Sequence, residues 1–91
     1  MLETIKKLVQ EGKYRFTFKA ELEMARDWIE SEEILEAILD AEDIDKVLHS
    51  YNPYTNKSEK LYVIKNYGFY IKGKVVKNFV IISAKLDTSS N

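Results

Sequence analysis

The sequence predicts an α+β domain in which N-terminal helices pack on one face of a mostly antiparallel sheet. Two observations predict it. Apolar residues recur at helical spacing up to about residue 45 and then at a period of two. Turn-forming residues also break the second half into short segments. Helical runs followed by strand runs give segregated layers, not alternating βαβ units.

In the opening segment LETIKKLVQEGK, Leu2, Ile5, Leu8 and Val9 share one helical face, and Gly12 is placed to end the helix. YRFTF at 14–18 alternates as a short strand or extended connector. Over residues 19–29, Leu22, Ala25 and Ile29 lie at helical spacing, with Met24 and Trp28 beside them, and Trp28 is expected in the core. Ser31 is placed to cap the next helix, whose first turn holds Glu32 and Glu33. Ile34, Leu35, Ile38 and Leu39 supply that helix's apolar stripe. IDKVLHSY and EKLYVIK read as strands around the turn NPYTNKS. GFYIKGKVV and FVIISAK read as a hairpin turning near Lys77–Asn78, with Asn78 tolerating a left-handed conformation. One domain spans 1–86, and residues 87–91 read as a frayed tail.

Composition narrows the chemistry. The 91 residues include no cysteine, so disulfides, thiol nucleophiles and cysteine-ligated metals are excluded. A single histidine, His49, excludes a two-histidine acid–base pair; alternation sets it opposite Lys46, which favours a hydrogen-bonded structural role. The longest apolar run, FVII, is far below the roughly 20 residues of a membrane helix, and a cytoplasmic location is expected. The net charge of −1 conceals segregation. Residues 20–45 carry eleven Asp and Glu against Arg26 alone, whereas residues 46–86 carry eight lysines against Glu59 alone.

Most carboxylates of the acidic segment fall on outer helical faces, so a solvated surface explains them better than a metal site. The strands are more informative. Alternation puts Tyr70, Lys72 and Lys74 on one face, and puts Lys85 on the Phe79, Ile81 and Ser83 side of the last strand. Lysines spread over strands can hold a phosphate backbone while tyrosines stack on bases. Lysine also discourages edge pairing and tyrosine favours strands, so pattern alone leaves both readings open.

The segments IKKLV, GKYRFT, DKVL, FYIK and VIISAK, in that order, resemble a family of small bacterial proteins often encoded beside a zinc-finger antitoxin. More distantly the chain is similar to the MqsR family of mRNA interferase toxins, which have a RelE-like fold. The likeness runs from Ile5 to Lys85. It implies a type II toxin: an endoribonuclease that cleaves mRNA by 2′-hydroxyl attack without a metal or other cofactor, and that is held by a cognate antitoxin. It also implies that Lys46, Tyr70 and Lys85 are functional, with Glu59 standing where that family has glutamine. Lys19 stands where the nearer family often has histidine. In this reading Glu59 or Tyr70 handles the 2′ proton, and Lys46 and Lys85 stabilise the phosphorane or protonate the leaving oxygen. Lys57, Lys60, Lys72 and Lys74 hold the RNA backbone. The alternatives are an RNA-, ribosome- or protein-binding module of the same fold, and a protein-interaction domain whose acidic helices dock on a basic partner.

Overall fold

A computed structural model describes residues 1–88. Among them, the order is α1 (Leu2–Gln10), β1 (Tyr14–Phe16), α2 (Phe18–Arg26), α3 (Ser31–Leu39), β2 (Lys46–Asn52), β3 (Lys57–Asn66), β4 (Phe69–Val75) and β5 (Phe79–Leu86). The sheet runs β1-β5-β4-β3-β2, antiparallel except where β1 joins β5. Residues of all three helices, among them Ile5, Met24 and Ile34, share one core with Tyr62, Ile64, Phe69, Ile71, Phe79 and Ile81. The helices therefore cover one sheet face, as the periodicity predicts. None of them is long and apolar enough to cross a membrane.

Local chemistry sets the helix ends. Gly12, at φ 75°, closes α1 while the Lys13 N–H donates back to Leu8 O at 2.8 Å. Thr17 caps α2 by accepting the Ala20 N–H. The cap of α3 is Glu30, not Ser31: the Glu30 N–H donates to the Glu33 carboxylate at 2.9 Å, and Ser31 is already helical. The larger correction concerns α2. Its buried residues are Ala20 and Met24, so Leu22 and Ala25 turn outward and Trp28 is 92% exposed. The other side of α2 is claimed by carboxylates. The Glu23 side chain accepts the Ser83 hydroxyl at 2.7 Å and the Ala84 N–H at 3.1 Å, and Asp27 accepts the Leu86 N–H. β1 pairs with β5 only at Phe79–Ile81, so these acids satisfy the edge of β5 where β1 stops.

Two backbone features shape the sheet. Tyr67 and Gly68 both have positive φ and form the two-residue turn between β3 and β4. The β4–β5 turn falls near Asn78 as expected, but Asn78 is not among the left-handed residues; the Val76 N–H closes that turn on Asn78 O. A register shift also occurs: Lys72 pairs with Ser83 and Gly73 with Ile81, leaving Ile82 as an extra residue in β5. A Cβ on Gly73 would sit 2.6 Å from the Phe79 ring, so only glycine fits there. The bulge reverses the alternation of β5. Phe79 and Ile81 face the helices, while Ser83 and Lys85 join Val80 on the other side, which corrects the side expected for Lys85. In the expected tail, the Asp87 N–H donates to Gly68 O at 2.8 Å, and residues 89–91 lie outside the described residues.

Candidate functional site

The sheet face away from the core gathers most of the strand lysines. Pairing across β3, β4 and β5 sets Lys65, Tyr70 and Lys85 in one row. The next row runs Lys46, Val63, Lys72, Ser83 across four strands. Lys74 is on the same face of β4, and alternation along β3 adds Lys57 and Glu59. Val63, Val80 and Ser83 on this face are buried; α2 reaches it at the β5 edge, where Glu23 meets Ser83, and Lys46 and Lys72 lie in register beside Val63.

Within this face the predicted residues do not all meet. Tyr70 and Lys85 are adjacent, with the Lys85 ammonium 5.4 Å from the centre of the Tyr70 ring. They line a groove of about 240 Å³ with Leu86, Asp87 and Thr88. Lys72 lies two residues along β4 from Tyr70, in the row next to theirs. Lys46 is two strands from Lys72, about 10 Å between backbones at ordinary strand spacing. Glu59 lies six residues along β3 from the Tyr70 row, roughly 20 Å away, and pairs with Lys74 at 3.6 Å. It lines a second groove, of about 330 Å³, with Lys60, Tyr62 and Lys74. Lys60 pairs in register with His49 and points to the helix side, apart from the other lysines. His49 itself is exposed there. Lys57 is exposed at the far end of the β2–β3 ribbon.

The electrostatics single out Lys72. Burial lowers its pKa, and the positive charges of Lys19 and Lys85 lower it further, against a smaller opposing effect of Glu23. The Glu23 pKa is also lowered, which for a carboxyl favours the charged form. Burial pulls its pKa upward, but the Ser83 hydroxyl, the Ala84 N–H and the nearby Lys19 and Lys85 outweigh that and hold it below the usual range. Lys19 is 3.6 Å from Glu23, one turn earlier on α2. The sequence assigns Lys72 only to backbone binding and gives Glu23 and Ser83 no role. Nothing in the strand pattern reports that α2 lies against the β5 edge. The Lys19–Glu23 spacing of four was the one available signal.

A lysine that gives up its proton more easily, a phenol and two or more further ammonium groups on one open face can bind a phosphodiester and move protons around it. By contrast, a groove of about 250 Å³ lined by Glu32, Glu33, Glu36, Tyr67 and Phe69 carries negative charge and suits no phosphate. Among the described residues, no three His, Cys, Asp or Glu side chains are grouped to hold a metal ion. Comparisons with protein-family models, with curated proteins and with solved structures return no match to this chain.

Proposed function

We propose that the chain is a RelE-like mRNA interferase, the toxin of a type II toxin–antitoxin pair, acting in the cytoplasm without a metal ion. The observation that carries this reading is the grouping of Tyr70, Lys72 and Lys85 on the sheet face away from the core, with Lys46 in the Lys72 row. The resemblance of its motif order to small antitoxin-linked bacterial proteins, and more distantly to the MqsR family, supports it. In the reaction the RNA 2′ oxygen loses its proton to the unprotonated fraction of Lys72, which the lowered pKa enlarges, and bonds to the adjacent phosphorus. The bond from phosphorus to the 5′ oxygen breaks, and that oxygen takes the Tyr70 proton. The products are a cyclic phosphate and a free 5′-hydroxyl, and water then returns the proton from Lys72 to Tyr70. Lys85 and Lys46 bear positive charge over the phosphorane. Lys57 and Lys74 hold the backbone further along β3 and β4. Glu59 meets a neighbouring nucleotide, not the cleaved one, because its strand carries it away from Tyr70.

The test is cleavage of an RNA oligonucleotide in the presence of a chelator, with product ends identified by mass. Cyclic phosphate ends are expected. Lys72→Arg keeps the charge but not a side chain that can give up its proton. It should bind RNA as the wild type does and cleave about 10²–10⁴-fold more slowly. If Lys72→Arg cleaves at the wild-type rate, Lys72 is not the proton acceptor. The distance of Glu59 from Tyr70 favours a second reading, an RNA-binding module that does not cut. RNA bound but intact would select that reading.

A further inference from the structure

We propose that the outer face of α2 is a docking surface for a partner protein's amphipathic helix carrying lysine or arginine along one flank. Phe18 is 74% exposed, Leu22 54% and Trp28 92%, and exposed Ala25 lies between the last two. Spacings of four and three place Phe18, Leu22 and Ala25 along one side of α2, and Trp28 follows just past the end of that helix. Apolar residues so arranged ordinarily face a core; here that role belongs to Ala20 and Met24, so a second apolar face is left to solvent. Trp28 adds a separate observation. It occupies the left-handed position that ends α2, at φ 57°, where glycine is usual, while the Ile29 N–H closes on Met24 O at 2.9 Å. A bulky residue is thus held in an unfavourable conformation that displays it outward.

Charge complementarity selects the occupant. Glu21 borders the stripe, and Glu30 and Glu32 follow Trp28, all three exposed. On the opposite flank Lys19 and Arg26 are already paired, with Glu23 at 3.6 Å and Asp27 at 3.0 Å. A second copy of this chain would set the acidic flank against itself, because a two-fold contact brings the same patch together. A helix with apolar residues at matching spacing and basic residues on one side meets both the stripe and the acids. Two aromatic side chains of about 150–250 Å² each, with Leu22, offer roughly half of the about 800 Å² that each partner gives to a standard interface. The inference does not rest on the RNA reading, since it concerns a different surface.

Trp28 is the only tryptophan, so its fluorescence reports on this surface directly. The full chain is titrated with a designed amphipathic peptide bearing a leucine stripe and a lysine flank, and with the same peptide bearing glutamates. The lysine peptide should shift Trp28 emission to the blue and bind at least tenfold more tightly than the glutamate peptide. Leu22→Asp should weaken that binding at least tenfold without changing the thermal midpoint; Phe18→Ser is the second variant should Leu22→Asp perturb folding. Equal affinity for both peptides, or no response to either, overturns the proposal. So does a blue shift on concentrating the protein alone, which would assign the stripe to a second copy. So does a response of Trp28 to RNA with none to the peptide, which would assign it to base stacking.

Discussion

Lys72 shows how a strand lysine comes to hold its proton less firmly. Its neighbours in β4, Ile71 and Gly73, are buried against the helices, so the backbone holds it firmly while the β5 bulge brings Ser83 and Lys85 to its side. A folded-state pKa below the ordinary 10.5 means that protonated Lys72 costs stability. That cost is present in full below the folded pKa, and is relieved as pH rises through it toward 10.5. Lys72→Met should therefore be no less stable than the wild type near neutral pH, and its relative advantage should shrink at alkaline pH. Thermal midpoints of both proteins from pH 7 to pH 10 check this; an advantage that grows with pH would contradict it. Strand alternation alone places Tyr70, Lys72 and Lys74 on one face, and the structure agrees. The pKa of Lys72 was not legible, because it depends on Lys19 and Lys85, far away in sequence.

Among the elements, α2 departs most from its reading, and for a physical reason. Leu22, Ala25 and Ile29 look like a core stripe if helix burial follows apolar residues alone. Here Glu23 and Asp27 are instead drawn to the β5 edge by unpaired N–H groups, which rotates the helix and turns Leu22 outward. The stripes of α1 and α3 were read correctly because no polar demand competes with burial there. Replacing Glu23 by Ala leaves the Ser83 hydroxyl and the Ala84 N–H without their acceptor, at a cost of about 1–3 kcal/mol. The thermal midpoint should fall by several degrees or more. Because the Glu23 pKa is below its ordinary 4.5, its stabilisation is present above that pH and lost as pH falls through the folded value. Glu23→Gln should flatten this acid limb in a series of melts. An unchanged midpoint in Glu23→Ala would show that α2 does not secure the β5 edge.

For the whole molecule, the segregation of charge along the chain becomes segregation in space. The lysines of residues 46–86 fall largely on the open sheet face, while many of the acids of residues 20–45 remain exposed on and around the helices. The fold class and this division were legible because both follow from period and sign, which are local properties. The grouping of particular site residues was not, because it depends on register: Glu59 shares a face with Tyr70 yet lies six residues from its row, and Ile82 reverses the side of Lys85. The central claim is that RNA lies across the open face at Tyr70, Lys72 and Lys85. Backbone amide chemical shifts, recorded while a 2′-O-methyl RNA oligonucleotide that cannot be cut is added, test it most directly. Changes are expected to concentrate at residues 70–74 and 83–86, extending to Lys46, with α1 and α3 unaffected. Changes confined to the helices, or none at saturating RNA, would contradict it.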